Sequence, residues 1–285
     1  MRKVMLVSDS AMDLPAHYIK EHQIKIVPFY ITFGEKTYRD GIDITTKELY
    51  ENVEKLGMLP KTGAISPAEW KKVFDTYVDA GYDILCMTIG SKLSSSFQNA
   101  YLMSLEYDQG RVEVLDTKAL SGSISILMLK AIDLRSEGKS ATEIKQALEL
   151  LIPKVHTQFV IPTLDYLYKG GRCSAMSKVF GTMLAIKPQI KMIDGALELY
   201  KKSIGKMSRA VDGMLDDFFK MANEGKVDLE YVFITHTMSQ KMHDYMKEKV
   251  VKSGLPIKHL LESHAGSVIS SHCGPGTIGI LYLEK

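Results

Sequence analysis

Apolar residues fall along this chain in short unbroken runs, separated by stretches with helical spacing. Residues 4–7, 84–89 and 112–115 are apolar runs of strand length, and 24–33 is strand-like throughout. Residues 14–22, 47–56, 70–80 and 95–105 carry the spacing of helices, and two longer helices are expected over 120–136 and 141–155. Continuous apolar strands alternating with helices predict an α/β fold with a sheet covered on both faces.

From residue 156 the texture changes. A strand at 159–161 leads through 164–169 to a Gly170-Gly171 turn and a helix expected over 175–184. Apolar runs at 190–193 and 197–201 flank Asp194-Gly195, a dipeptide that predicts a two-residue hairpin. Helices over 207–222 and 242–251 then mix with strands at 231–235, 257–261 and 278–283. The reading is two α/β lobes, 1–155 and 156–285, packed closely because no Pro- or Gly-rich linker joins them.

Composition narrows the function classes. The 285 residues suit one large domain or two medium ones. With 45% of residues apolar and 25% charged, disorder is excluded as the main state. The 36 basic and 34 acidic residues leave a net charge of +2, too balanced for a nucleic-acid protein. Cys86, Cys173 and Cys273 form no C-x-x-C pair, so a reduced, cytoplasmic setting is expected. The first apolar run is too short for a secretory signal, and no run approaches the ~18 apolar residues of a membrane span.

Five segments could carry chemistry. Ser8-Asp9-Ser10 to Asp13-Leu14-Pro15 follows the first strand, where α/β folds place ligand contacts. A turn with Asp13 as a helix cap accounts for it equally well. In Thr62 to Trp70, Ser66-Pro67-x-Glu69 is a capping box with Pro at the first helical position, which explains Ser66 and leaves Thr62 without a structural role. Ser91 and Ser94-Ser95-Ser96 enter a helix after a buried strand. An N-cap needs one serine, and the surplus hydroxyls suit an anion site. In Lys169-Gly170-Gly171-Arg172, the glycines permit close approach and the Arg offers a bidentate carboxylate or phosphate contact; a helix C-cap followed by a solvated Arg is the plain alternative. Finally, Ser271-His272-Cys273-Gly274-Pro275-Gly276 reads as a loop presenting His272.

Other chemistries are absent from the pattern. Residues 274–279 match G-x-G-x-x-G but precede a strand near the end of the chain, which rejects a dinucleotide fingerprint. There is no P-loop, no nucleophile elbow and no H-E-x-x-H. Cys173 and Cys273 adjoin the Arg and His candidates without close-spaced partners, so no metal site is expected.

Taken in order, Ser8-Asp9-Ser10, Tyr38-Arg39-Asp40-Gly41, Thr62 with Ser66-Pro67, Ser91-Lys92-Leu93-Ser94, Lys169-Gly170-Gly171-Arg172, Ile186-Lys187-Pro188 and His272-Cys273-Gly274-Pro275-Gly276 resemble the DegV family over nearly the whole chain. Its members include the fatty-acid-binding FakB subunits of bacterial fatty acid kinase. The resemblance implies two α/β lobes with one long-chain fatty acid buried at and below their interface. It implies that Thr62 and Ser94, with neighbouring Ser95, bind the carboxylate, and that Arg172 and His272 lie near it. It implies a non-catalytic subunit without cofactor or metal, serving phospholipid synthesis in the cytoplasm. A separate kinase would phosphorylate the bound acid, with transient membrane contact and no nucleic-acid partner. Two stretches depart from the family's usual pattern. Thr62-Gly63-Ala64-Ile65-Ser66 stands for Thr-Ser-Gln-Pro-Ser, and Leu93-Ser94-Ser95-Ser96 for Leu-Ser-Gly-Thr.

Methionine is abundant, with 16 residues including Met176, Met183, Met192 and Met207. Such flexible side chains suit an acyl tunnel, although ordinary core filling is the better reading for most of them. Two other functions fit the residues: a stand-alone enzyme on a small anionic metabolite that uses the serine loop and Arg172 as a clamp, and a lipid carrier or sensor with no kinase.

Overall fold

The computed structural model describes residues 2–172 and 186–285. The helix expected over 175–184, with Cys173, Met176 and Met183, lies outside the described residues. In chain order the first part holds β1 (Val4–Asp9), α1 (Ala16–Glu21), β2 (Lys25–Val27), β3 (Tyr30–Phe33), β4 (Lys36–Arg39), α2 (Thr46–Leu56), β5 (Lys61–Gly63) and α3 (Pro67–Asp79). It continues with β6 (Asp83–Thr88), α4 (Ser96–Ser104), β7 (Val112–Asp116), α5 (Gly122–Ser136) and α6 (Ala141–Leu151). The second part holds β8 (Val155–Val160), α7 (Asp165–Lys169), β9 (Ile186–Ile193), β10 (Ala196–Ile204) and α8 (Met207–Asn223). It ends with β11 (Val227–His236), α9 (Gln240–Lys252), β12 (His259–His264), α10 (Ser267–Cys273) and β13 (Ile278–Glu284).

The protein is α/β, as the pattern of apolar runs predicts. A four-stranded parallel sheet runs β2-β1-β6-β7 and a six-stranded mixed sheet runs β10-β9-β8-β13-β11-β12. A small antiparallel sheet, β4-β3-β5, lies apart from both. The expected single strand over 24–33 is two strands in different sheets. Pro28 interrupts it, since a proline donates no ladder hydrogen bond. The helix expected to reach residue 155 stops at Leu151. Pro153 follows in a 3₁₀ turn, and Val155 already belongs to β8. The Asp194-Gly195 hairpin forms as expected, with Ile193 opposite Ala196 and positive φ at both turn residues.

Local signals hold the frame. Ser66 and Glu69 close the expected capping box of α3, with Pro67 at its start. α5 is buried on almost all sides, from Gly122 to Ile132, and packs between the two larger sheets. One apolar cluster joins side chains of the four-stranded sheet, such as Leu6 and Leu85, to Phe159, Phe233 and Leu281 of the six-stranded sheet. Buried polar contacts reinforce that junction. Asp13 Oδ1 accepts the Gly266 N–H at 2.8 Å, and Asp40 Oδ1 accepts the Ser267 N–H at 2.8 Å. The start of α10 is therefore fastened to residues more than two hundred positions earlier. None of the described helices is long and apolar enough to cross a membrane.

Candidate functional site

Asp9, at the end of β1, organises the serine loop. Its Oδ2 accepts the Ile89 N–H at 2.9 Å and the Ser96 hydroxyl at 3.0 Å. Burial pushes its carboxyl up to about 7, with nearby Asp40 adding to the rise. Asp116, at the end of β7, accepts the Ser91 N–H and hydroxyl at 3.0 and 2.5 Å. Ser91 and Ser96 are thus occupied in holding the loop. Ser94 Oγ accepts the Ser96 N–H at 3.2 Å and keeps its own hydrogen to donate. The Ser95 side chain makes no hydrogen bond among the described residues.

Asp13 does not cap α1, whose N-cap is Pro15. Its Oδ2 accepts the Ser121 hydroxyl at 2.5 Å while Oδ1 holds Gly266, so its role is to join distant segments. Arg39 is exposed and paired with Asp43 at 2.8 Å. Neither side chain belongs to the cavity described below.

Thr62 sits on β5, opposite Ile31 of β3. His272 is in the last turn of helix α10, and not in a loop as the glycines around it suggest. Thr62 Oγ1 and His272 Nε2 are 2.8 Å apart, across 210 residues of sequence. His272 Nδ1 is buried without a hydrogen-bond partner among the described residues. Burial, and then the charge of Arg172, lower His272 from 6.5 to about 4. The unfolded chain takes up this proton first as pH falls. The contribution of His272 to stability is therefore complete above pH 6.5 and is lost between 6.5 and about 4. In ¹⁵N NMR spectra of the ligand-free protein at pH 6, His272 is expected to be a neutral imidazole. An imidazolium pattern there would contradict this environment.

The Gly-Gly pair works through two different properties. Gly170 has ordinary backbone angles (φ −73°), yet a Cβ there would lie 2.4 Å from His272 Nδ1. Gly171 has φ +70° and open space around it. The first glycine lets α7 approach His272, and the second turns the chain so that Arg172 points back. Arg172 Nη1 donates to Gly170 O at 2.6 Å and Nε to Leu93 O at 3.4 Å. It forms no ion pair with a carboxylate among the described residues, and burial lowers its pKa.

Thr62, Ser94, Ser95, Arg172 and His272 all line one cavity of about 220 Å³. The rest of its wall is mainly apolar, including Phe29, Ile89, Leu93, Leu167, Leu197 and Val268. A smaller apolar space of about 30 Å³ shares Leu120, Ile269 and Cys273 with it and extends to Phe159 and Leu281. Pattern reading found the polar end and missed these apolar walls, which come from scattered elements. Met192 and Met207 line neither space and pack at the edges of the two main apolar clusters. The cavity therefore has hydroxyl, imidazole and guanidinium groups at one end and hydrocarbon walls elsewhere. That division suits a ligand with one anionic end and a long apolar body.

The model of the family described as "Uncharacterised protein, DegV family" matches residues 3–285. The chain belongs to the DegV family. It is 32% identical to a DegV domain-containing protein of Caldanaerobacter subterraneus subsp. tengcongensis, with 100% of both chains covered. Among solved structures, it is 30% identical to a DegV family protein from Thermus thermophilus described by its fatty acid binding, with a TM-score of 0.92 and 100% of both chains covered. It is also 28% identical to a stearic acid-binding protein from Eubacterium ventriosum, with a TM-score of 0.86, covering 100% of this chain and 99% of the other. This DegV protein thus shares its fold over full length with relatives described as fatty acid binders.

Proposed function

We propose that this DegV protein binds one long-chain fatty acid and presents its carboxylate to a separate ATP-dependent kinase, which converts it to an acyl-phosphate. In this reading the lobes 1–155 and 156–285 enclose the ligand, and Thr62, Ser94, Ser95, Arg172 and His272 receive its head. One observation carries the reading: the half-buried Arg172 guanidinium, without a carboxylate partner among the described residues, lines the same apolar-walled cavity as the hydroxyls of Thr62 and Ser94. The full-length structural relatives described as binding fatty acids support it.

Physical chemistry divides the work between tail and head. A sixteen-carbon acid has about fourteen CH₂ groups, and at ~0.8 kcal/mol each their burial supplies up to ~11 kcal/mol before ordering costs. The tail gives affinity, and the polar groups need only orient and satisfy the carboxylate. With the His272 proton on Nε2, that N–H donates to Thr62 Oγ1 and frees the Thr62 hydroxyl hydrogen for the carboxylate. Ser94 adds a second hydroxyl, and Arg172 adds charge. In the kinase step, a carboxylate oxygen attacks the γ-phosphorus of ATP and the bond to ADP breaks. Arg172 can offset charge on the transferring phosphoryl oxygens. The chain itself is then a presenting subunit, cytoplasmic and without a cofactor, that touches membranes only to exchange lipid.

The test combines the lipid-loaded protein, a bacterial fatty acid kinase and ATP, with acyl-phosphate trapped by hydroxylamine. Product is expected only when all three are present. Product from kinase and free fatty acid alone, or turnover of ATP by this chain alone, would contradict the presenting role.

A further inference from the structure

Away from the lipid cavity, the described residues bring three imidazoles onto one carboxylate. β11 ends at His236, whose register partner on parallel β12 is His264. Glu262 lies two residues before His264 and so shares its face of the strand. Helix α9 delivers His243 from its first turns. His236 and His264 each place Nε2 3.4 Å from Glu262 Oε1, and His243 places Nε2 3.4 Å from Glu262 Oε2. The ligand atoms of His236, His243 and Glu262 lie within 4.8 Å of one another.

The spacing is informative. Hydrogen bonds between imidazole and carboxylate close to about 2.7–3.0 Å. Two ligand atoms at about 2.1 Å from a shared tetrahedral ion stand about 3.4 Å apart. His243 adds a second, independent observation. It is buried, with 2% of its side chain exposed, and its Nδ1 lies 3.0 Å from Asp244 Oδ1 and 3.1 Å from Gln240 Nε2, which itself donates to Asp244 Oδ1 at 3.0 Å. With the proton on Nδ1, directed at the Asp244 carboxylate, the Nε2 lone pair is aimed at the Glu262 carboxylate. Two acceptors facing each other repel unless a cation stands between them. A carboxylate behind the imidazole is also the arrangement that fixes metal-bound histidines. His236 differs, because its Nδ1 accepts the Ser239 N–H at 3.1 Å. Its proton is therefore on Nε2, directed at Glu262.

We propose that His243, Glu262 and His264 hold one divalent ion of the zinc class, with His236 as the positioning residue that orients Glu262. His264 is largely exposed and can turn onto the ion. Glu262 and His264 line an open cleft with Asp13 and Asp40, so a water or outside ligand can reach the remaining coordination position. The ion would brace the end of β12, from which the chain passes into α10. The sequence shows no H-E-x-x-H and no close-spaced cysteines, and these ligands escape it because they come from separate elements.

The experiment uses the full-length, tag-free protein, stripped with EDTA and titrated with Zn²⁺ by calorimetry and with Co²⁺ by visible absorption. One Zn²⁺ per chain and the intense d–d band of four-coordinate Co²⁺ are expected. Glu262→Gln and His264→Ala should each lower Zn²⁺ affinity by at least roughly 10-fold. His264 is exposed, so its variant tests the site without threatening the fold. His236→Gln should weaken binding yet keep the four-coordinate Co²⁺ band. Failure of the wild type to bind stoichiometric Zn²⁺, or wild-type affinity in either the Glu262 or His264 variant, overturns the proposal. Loss of the Co²⁺ band in His236→Gln would make His236 a ligand and overturn its assignment as a positioning residue.

Discussion

Arg172→Ala is expected to lower fatty acid affinity by roughly 10- to 100-fold. A charge-assisted hydrogen bond contributes about 1.5–3 kcal/mol, and each ~1.4 kcal/mol is a factor of ten. Arg172 faces the cavity with N–H groups left over after its contacts to Gly170 O and Leu93 O. No carboxylate among the described residues competes for them. Arg172→Lys should recover only part of the loss, because a lysine cannot keep both carbonyl contacts while reaching the ligand. Titration of delipidated protein with palmitate, for wild type and both variants, measures the effect. An affinity for the alanine variant within twofold of wild type would remove Arg172 from the head-group site.

Gly170→Ala should cost about 1–3 kcal/mol of stability and damage ligand binding at the same time. Its backbone angles suit alanine, so the whole effect comes from the added methyl group. That carbon would stand 2.4 Å from His272 Nδ1 and 2.8 Å from the backbone oxygen of Tyr166. The imidazole would have to leave, breaking its contact with Thr62. Gly171→Ala is the control. Its φ of +70° makes alanine cost about 1–2 kcal/mol, but the space around it is open and His272 stays in place. In a His272→Ala background Gly170→Ala should cost less than in the wild type, because one of its two clashes is gone. Equilibrium denaturation of the four variants measures both terms. A Gly170→Ala protein as stable as wild type would show that the close approach of α7 to α10 is not required.

Sequence patterns reveal the architecture where burial imposes a period, and lose it where tertiary contacts decide. β1, β6 and β13, inside the two larger sheets, are mostly apolar and buried, and stand out as runs. β4 is short and largely exposed, and β5 is short and mostly polar, so neither leaves a periodic trace. α10 is rich in serine and held at its start by Asp40, a contact 227 residues away, so nothing local announces a helix there. The serine loop shows the same limit at the site. Its surplus of hydroxyls is legible, but their division is not. Ser96 is bound by Asp9 across 87 residues and Ser91 by Asp116 across 25. Only those partners show that Ser94 and Ser95 are the hydroxyls that face the cavity. Likewise, the Gly-Gly motif is legible as an exception to ordinary sterics, while the group that needs the space, His272, is visible only in the fold.

Native mass spectrometry of the freshly purified protein shows whether the cavity holds a fatty acid. One long-chain acid bound per chain is expected, released on denaturation and identified by its mass in the extract. A bare-chain mass that gains nothing when palmitate is added would contradict it, and would assign Ser94 and Arg172 to a smaller anion.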